Sequence, residues 1–298
     1  MHMIYRTDET IALPGFYSAA WHMYSDGFRV GVLDLETTGL SRRHDSIVLG
    51  GLLLLQEQPR LVQLLCSSQS EEDEMLRAFW KLMRDCQILI TYNGDSFDFP
   101  FLRERLRRWN ITAYMPPVLS LDLYQIFRTY CPMAQRLCDL RQTTVEDAFG
   151  LSALRTDEIS GEESAQLFFR YQSLLAANSQ IPGGPVLNSS QSDGGQDAFE
   201  AEALRRRILL HNRDDLLQLS RLMRMLHKVD LHRIMSRRGF LIRCGQALLH
   251  IDAITLHKKE WRIEASTDGL PQDIDMFDAA LRLTHQSCSH RLQLLVSV

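Results

Sequence analysis

The stretch Val32-Leu33-Asp34-Leu35-Glu36-Thr37-Thr38-Gly39 places two carboxylates inside an apolar run that has the composition of a buried strand. An unpaired carboxylate in an apolar interior is destabilising by several kcal/mol or becomes neutral. In a strand, Asp34 and Glu36 share one face, with Cβ atoms roughly 6–7 Å apart. The simplest alternative is an edge strand with two solvated acids. A divalent cation between the side chains would instead explain two acids in a buried strand.

The composition is that of an ordinary globular protein. The 298 residues are 45% hydrophobic and 23% charged, with a net charge of −4, which allows one large domain or one domain with a small appendage. The six cysteines include no Cys-x-x-Cys pair, so we expect a reduced cytoplasmic protein without a zinc knuckle. The N-terminus lacks the apolar core of a signal peptide. The longest apolar stretch, Ile47 to Leu55, is too short to cross a bilayer, so we expect no membrane association.

The order of the apolar runs predicts an α/β domain with one mixed central sheet flanked by helices. Three strands joined by short turns form an antiparallel meander; they are predicted at Phe28–Leu35, Ser46–Leu55 and Arg60–Cys66. Two further strands, at Gln87–Tyr92 and Ser120–Tyr124, alternate with helices. The helices are predicted from Ser70 to about Arg84, at Asp98–Trp109, Leu140–Phe149 and Glu162–Leu175, and at Ala198–Lys228.

Composition also divides the chain into parts. Residues 178–197 are rich in Asn, Ser, Gly and Pro, which predicts a flexible surface loop. After the long helix, strand patterns recur at Phe240–Cys244, Leu248–Leu256, Glu260–Ala265 and Leu292–Val298. We therefore expect an N-terminal segment (1–27), a main domain (28–228) and a small β-rich C-terminal appendage (229–298).

Two other segments supply acids that can join Asp34 and Glu36. Asp98 lies between two phenylalanines where a predicted strand gives way to a helix, and strand ends in α/β sheets gather ligand groups. On the long helix, His211 lies within about 40° of Asp215 on the apolar, core-facing stripe. Asp214 lies about 100° away and is expected to be solvated. The alternatives are a helix N-terminal acid for Asp98 and a core histidine for His211.

Four carboxylates beside one histidine suit two hard divalent cations, Mg²⁺ or Mn²⁺, better than zinc. Two such ions about 4 Å apart serve in-line displacement at phosphorus. Asp34 would bridge the two ions, and Glu36, Asp98 and Asp215 would complete the cage. His211, whose unperturbed pKa is near neutrality, would take the proton from the attacking water.

Three stretches, in this order, resemble the exonuclease motifs of the DEDD superfamily: Asp34–Gly39, Tyr92–Asp98 and His211–Asp215. That superfamily comprises 3′→5′ exonucleases on a ribonuclease H-like fold, related to polymerase proofreading domains. Ser120–Tyr124, Thr144–Leu151 and Glu158–Gly161 are also similar to the bacterial YprB-like exonuclease group. The resemblance covers about residues 28–228. It implies a ribonuclease H-like fold, two divalent cations, and release of nucleoside 5′-monophosphates from the 3′ ends of DNA or RNA.

The resemblance also implies residues that bind the substrate. The pocket for the terminal nucleotide would be lined by Thr37, Thr38, Gly39 and Leu40, with Asn93 and Phe97 on the opposite wall.

The last motif departs from the superfamily's pattern in its spacing. The superfamily's histidine subgroup usually has four residues between the histidine and the last aspartate, whereas its tyrosine subgroup has three, as here. This spacing puts the base role of His211 in question. Asp215 remains the ligand, because residue 216 is a leucine.

Arginine-rich segments are candidates for contacts with nucleic acid. They are Arg103–Trp109, Arg205–Arg207, and the group Arg233, Arg237, Arg238 and Arg243. Any single one of these segments is more typical of a solvated helix face than of a binding surface, but we expect that some of them guide a strand to the site. Two alternatives to the exonuclease stay open: a structure-specific endonuclease on the same fold, and a non-catalytic module that binds nucleic acid. The sequence does not distinguish DNA from RNA, or single strands from duplex ends, and it identifies no protein partner.

Overall fold

The chain divides into two units. The first consists of Met1–Pro14 and Arg29–Met223, and the second of Gly15–Phe28 and Arg224–Val298. A six-stranded mixed sheet forms the centre of the first unit. The computed structural model describes residues 4–13, 21, 24–25, 27–111, 119–157, 159–179, 193–223, 226, 234–235, 241–244, 247–257, 260–266, 281–285 and 291–297. Among these residues, no helix is both long enough and apolar enough to cross a bilayer.

The strands of the sheet are β1 (Tyr5–Thr10), β2 (Val30–Thr37), β3 (Ile47–Leu55), β4 (Arg60–Leu65), β5 (Ile88–Thr91) and β6 (Leu119–Asp122). Their order across the sheet is β1-β4-β3-β2-β5-β6. Strands β2, β3 and β4 form the antiparallel meander, and β5 and β6 run parallel to β2. The predicted α/β fold with a mixed sheet is confirmed. Strand β1, which pairs with β4 along its whole length, is an edge strand that the sequence analysis did not include.

Helices cover both faces of the sheet. They are α1 (Glu72–Met83), α2 (Asp98–Arg108), α3 (Leu123–Tyr130), α4 (Gln142–Ala148), α5 (Gly161–Ser179) and α6 (Asp193–Leu222). Helix α6 begins five residues before the predicted start, and α5 continues to Ser179. The two helices therefore take up both ends of the predicted loop at 178–197, and its centre lies outside the described residues.

Two adjacent glycines of β3 allow a helix to approach on each face. A Cβ at Gly50 would lie 2.7 Å from the Phe79 ring on α1, and a Cβ at Gly51 would lie 2.1 Å from Asn212 Oδ1 on α6. Successive strand residues point to opposite faces, so each glycine admits one helix. Gly51 is also the register partner of Asp34 on β2. The close approach of α6 therefore occurs directly beside that aspartate.

The second half of β2 extends beyond its parallel neighbour. Strand β5 pairs with Val30, Gly31 and Val32 only, so the β5 side of Asp34–Thr37 is left for other groups. Helix α2 begins close to this edge, because the Leu35 backbone hydrogen-bonds to the Asp98 carboxylate. The end of β2 is thus where sheet, α2 and α6 meet.

A buried ion pair fixes α2 to α1. Arg105 donates from Nε to Glu72 Oε1 at 2.7 Å, and its Nη2 pairs with the other carboxylate oxygen. Trp109 Nε1 and the backbone N–H of Ile47 also donate to Glu72, at 2.8 and 2.7 Å. Arg105 was among the arginines considered for nucleic-acid contact, and that interpretation is wrong for this residue. Its guanidinium is needed inside the protein, because a buried carboxylate requires a partner.

The second unit contains a five-stranded antiparallel sheet. Its strands are β7 (Leu241–Cys244), β8 (Ala247–His257), β9 (Glu260–Ser266), β10 (Leu281–His285) and β11 (Arg291–Ser297). Their order is β10-β11-β9-β8-β7. The four strand patterns of the sequence correspond to β7, β8, β9 and β11, whereas β10 was not predicted.

Candidate active site

Strand β2 carries the first two predicted site carboxylates past the end of β5. Glu36 is only 7% exposed and Asp98, at the start of α2, only 5% exposed. Burial is the largest cause that raises the pKa of each carboxyl, to about 7 in both cases. The charge of Glu36 also raises the pKa of Asp98, which places these two side chains within electrostatic reach of each other.

Asp34 lies at the centre of the acidic group. Its pKa is raised well above the usual range, first by burial and then by the charges of Asp215, Glu36 and Asp98. The charge of His211 acts in the opposite direction. The structure therefore places the other four predicted residues, which come from three distant segments, within electrostatic reach of Asp34. Helix α6 turns Asp215 towards β2, and not away from it.

Three of these residues form a group that can hold a metal ion. One ligand atom each from Glu36, His211 and Asp215 lies within 4.8 Å of the other two. His211 Nε2 is 4.0 Å from Glu36 Oε1 and 3.5 Å from Asp215 Oδ2. The carboxylate oxygens of Glu36 and Asp215 are the kind of ligand that Mg²⁺ and Mn²⁺ prefer. The donor set therefore fits the expected cofactor class.

The His211 ring is held from its other side by Asp157. Nδ1 lies 2.5 Å from Asp157 Oδ2, and both side chains are buried. Burial alone would lower the pKa of His211, but the Asp157 hydrogen bond and the charges of Glu36 and Asp215 raise it to about 10. The imidazolium is thus a positive charge within the acidic group, with Nε2 directed at the carboxylates.

Arg155 supplies a second positive charge. Its Nη2 lies 2.5 Å from Asp215 Oδ1, its Nη1 is 2.8 Å from Asp157 Oδ1, and it makes two hydrogen bonds to Glu146 at 2.9 and 3.0 Å. Asp215 Oδ1 is therefore occupied by the guanidinium. The other oxygen, Oδ2, is the one that faces His211 Nε2.

Asp214 contradicts the expectation that it is solvated. The residue is 1% exposed, and its Oδ2 accepts hydrogen bonds from the Thr156 backbone N–H, the Thr156 hydroxyl and the Asp157 backbone N–H. Residues Arg155–Asp157, which we call the covering segment, lie along this side of α6. The helical periodicity predicted one buried stripe, but the covering segment buries a flank of the helix as well.

Asn212 connects α6 to Asp34 directly. Its Nδ2 donates to Asp34 Oδ2 at 2.7 Å, and its Oδ1 accepts from Gln63 Nε2 on β4 at 2.9 Å. Asn212, Arg155, Asp157 and Glu146 had no role predicted from the sequence. Asn212 at least lies within a quoted motif, whereas Arg155 and Asp157 lie in irregular structure where no periodicity marks them.

The residues predicted to line a nucleotide pocket lie in two turns near the acids. Thr37 Oγ1 donates to the Gly39 carbonyl at 2.7 Å, and Thr38 Oγ1 accepts from the Ser46 backbone N–H at 2.9 Å. These bonds fix the turn after β2, and Leu40 at its tip is 86% exposed. The substrate role of these residues stays a prediction.

The second turn contains Asn93 and Phe97. Asn93 has a positive φ of 62°, and its backbone N–H donates to Asp122 Oδ1 at 2.9 Å. The Asp95 N–H donates to the other Asp122 oxygen at 3.1 Å. Buried Asp122 thereby anchors the turn that leads to Asp98. Phe97 is half-buried, with its ring centroid 5.5 Å from that of Phe101.

Comparisons with known proteins agree with this architecture. Residues 32–227 match the family model described as the RNase_H superfamily. A DNA polymerase of Methanocaldococcus jannaschii is 27% identical over 108 residues, which are 28% of this chain and 6% of the relative. A DNA polymerase of Archaeoglobus fulgidus is 30% identical over 95 residues, 26% of this chain and 11% of the relative. The chain thus matches only a small part of these relatives' length.

A solved structure was also found, the family B DNA polymerase from Pyrobaculum calidifontis. It superimposes with a TM-score of 0.46 at 13% sequence identity, covering 76% of this chain and 28% of the polymerase.

Proposed function

Because the chain belongs to the RNase_H superfamily, we propose that residues 28–228 form a metal-dependent nuclease of the DEDD 3′→5′ exonuclease type. The substrate would be the 3′ end of DNA or RNA, and the product a nucleoside 5′-monophosphate. The motifs similar to the YprB-like group belong to the same proposal. Residues 229–298 would be an appendage to this nuclease.

One observation carries the proposal. Four carboxylates from three distant segments lie close enough that three of them raise the pKa of the fourth, Asp34, in an otherwise buried environment. A protein that only had to fold would gain stability by replacing such a group with neutral side chains. Clustered, destabilising acids of this kind are typical of functional sites. The local relatives that are named DNA polymerases support nucleic acid as the substrate.

In this proposal Asp34, Glu36, Asp98 and Asp215 hold two divalent cations, Mg²⁺ or Mn²⁺. Bound cations would supply Lewis-acid stabilisation of the charge that develops on the phosphate oxygens during hydrolysis. Arg155 orients Asp215 through Oδ1, and Asn212 orients Asp34 through Oδ2.

His211 presents Nε2 as the atom that accepts a proton from the attacking water, while Asp157 fixes Nδ1. The charges of Glu36 and Asp215 keep the pKa of His211 high. When Glu36 and Asp215 hold cations, those charges would be neutralised and the pKa of His211 would fall towards the range in which Nε2 can act as a base. The terminal nucleotide would lie against Thr37–Leu40 on one side and against Asn93 and Phe97 on the other.

The test is hydrolysis of labelled single-stranded DNA and RNA, blocked at either end, with Mg²⁺, Mn²⁺ or EDTA. We expect stepwise shortening from a free 3′ end, no shortening from a blocked 3′ end, and no reaction in EDTA. Cleavage of a circular single strand would favour the endonuclease instead. No cleavage of any substrate would favour the non-catalytic module.

A matched pair of variants distinguishes hydrolysis at this site from hydrolysis by a contaminating nuclease. Asp34→Asn should abolish hydrolysis, whereas Asp85→Asn, at an exposed aspartate near the opposite end of β2, should leave it unchanged. Equal activity of the two variants would contradict the proposal.

A further inference from the structure

Two basic segments that are far apart in the sequence meet on one surface. Arg42 and Arg43 are exposed in the turn after β2, and Arg107 and Arg108 are exposed at the end of α2. Arg108 Nη1 donates to the Arg43 carbonyl at 3.1 Å, which joins the two segments. We call these four residues the arginine surface.

The acid Glu104 shows that Arg42, Arg43 and Arg107 share one neighbourhood, which Arg108 joins through its hydrogen bond to the Arg43 carbonyl. Arg107 donates to both carboxylate oxygens of Glu104, at 2.7 and 3.2 Å. This hydrogen bond is the main cause that lowers the pKa of Glu104, and the charges of Arg43 and Arg42 lower it further. Because Glu104 can neutralise only one of the four guanidinium groups, the surface keeps a net positive charge.

The turn that carries Arg42 and Arg43 is firmly held. The Ser41 backbone N–H donates to Asp45 Oδ2 at 2.7 Å, and the Asp45 N–H donates to the Ser41 carbonyl at 2.7 Å. At the base of the turn, the Thr38 N–H donates to the Ser46 carbonyl at 3.0 Å. The two arginines therefore project from a preorganised backbone, which lowers the entropic cost of binding a ligand.

The arginine surface lies close to the acidic site along the chain. Arg42 is the sixth residue after Glu36, and an extended chain of six residues spans at most about 22 Å. Successive phosphates of a helical strand rise about 3.4 Å each, so this span corresponds to a few nucleotides. The buried Arg105 lies on the same helix but faces Glu72 instead.

We propose that the arginine surface binds the sugar-phosphate backbone of the strand being cut, a few nucleotides from the end that lies in the acidic site. The inference rests on the proposed function and specifies its substrate contact. The phosphodiester backbone is the polyanion that such a nuclease must hold, and guanidinium groups bind phosphate oxygens well. The positive charge of the arginine surface also offsets the repulsion between the phosphates and the carboxylates of the acidic site.

The experiment measures binding of a fluorescent single-stranded oligonucleotide by anisotropy, in EDTA, as a function of salt. The test variants are Arg42→Ala/Arg43→Ala and Arg107→Ala/Arg108→Ala. The matched control is Arg29→Ala/Arg84→Ala, two exposed arginines near the opposite end of β2 that pair with Asp85 as Arg107 pairs with Glu104.

Each lost phosphate contact should reduce the slope of log affinity against log salt by about 0.7 for a single strand. We therefore expect each test variant to bind more weakly with a slope smaller by up to about 1.4, and the control to match the unaltered protein. An unchanged slope in the test variants, an equal loss in the control, or no binding by the unaltered protein would overturn the inference.

The binding result does not depend on hydrolysis, which EDTA prevents. A protein that binds through these arginines but cleaves nothing would keep the arginine surface as a nucleic-acid contact and would contradict the proposed function. If the protein cleaves 3′ ends but the test variants bind as well as the unaltered protein, the proposed function stands and the inference about the arginine surface is wrong.

Discussion

His211 Nδ1 lies 2.5 Å from Asp157 Oδ2, across 54 residues of sequence, and this contact turns Nε2 of the same ring towards Glu36 and Asp215. A carboxylate that accepts a hydrogen bond from one imidazole nitrogen fixes the orientation of the ring and raises the basicity of the other nitrogen. Asp157 therefore acts on the site through His211 and does not face the substrate itself.

Asp157→Asn should lower kcat by about 10–100-fold, the usual effect of losing such an orienting partner. The control is Thr156→Val, which removes the Thr156 hydroxyl bond to Asp214 but touches neither His211 nor Asp215. If the control loses as much activity as Asp157→Asn, the effect is a general loosening of the covering segment. The measurement is kcat and KM on a single-stranded oligonucleotide.

His211→Ala tests the base role that the motif spacing put in question. General-base catalysis contributes roughly 10²–10⁴-fold, so the rate should fall by that factor, with KM little changed. An unchanged rate would mean that the proton of the water passes to solvent. The kinetics of His211→Ala and of the double variant with Asp157→Asn should be nearly equal, because Asp157 has no imidazole left to orient and its other partner, Arg155, is also held by Glu146.

Gly51→Ala should destabilise the protein, because the new Cβ would lie 2.1 Å from Asn212 Oδ1. The buried side chains of Asn212 and Leu216, or helix α6 that carries them, must then shift away from β3, at a cost of about 1–3 kcal/mol for an overpacked site. Gly161→Ala is the matched control, since nothing lies within 4 Å of its added Cβ. Urea unfolding of the two variants should differ clearly. Equal midpoints would show that α6 is not seated against Gly51.

Metal binding should strengthen as pH rises through about 7. Glu36 and Asp98 have pKa values raised to about 7, so below that pH they are mostly protonated, and a cation must displace the protons. Above pH 7 both groups are carboxylates and the competition disappears. Calorimetry with Mn²⁺ in buffers of different ionisation enthalpy should show more proton release below pH 7 than above pH 8, where His211 is left as the group whose pKa the cation lowers. An affinity independent of pH would contradict this assignment.

The sheet and the four carboxylates could be predicted because their signals are local. Alternating and continuous apolar runs mark strands. An acid within such a run, as at Asp34, is recognisable because a charged side chain is not expected in a buried strand. The helical period likewise identified His211 and Asp215 as inward-facing. The matching family model confirms the ribonuclease H-like fold at the level of the superfamily.

What could not be predicted depends on contacts between distant segments. Asp214 was expected in solvent because a helical wheel does not include the covering segment, whose residues are 57 and 58 positions earlier in the chain. Arg105 looked like part of an exposed basic run, since the sequence does not reveal that Glu72 is buried beneath it. Strand β1 was omitted because its residues Tyr5–Thr10 include no aliphatic side chain and become a strand only through pairing with β4.

The most direct test is calorimetric titration of Mn²⁺ into the unaltered protein and into the isosteric variants Asp34→Asn and Asp215→Asn. If the distant acids share cations, the unaltered protein binds Mn²⁺ and each single variant loses most of that binding while remaining folded. Binding of equal strength in all three proteins, or none in the unaltered protein, would contradict the account.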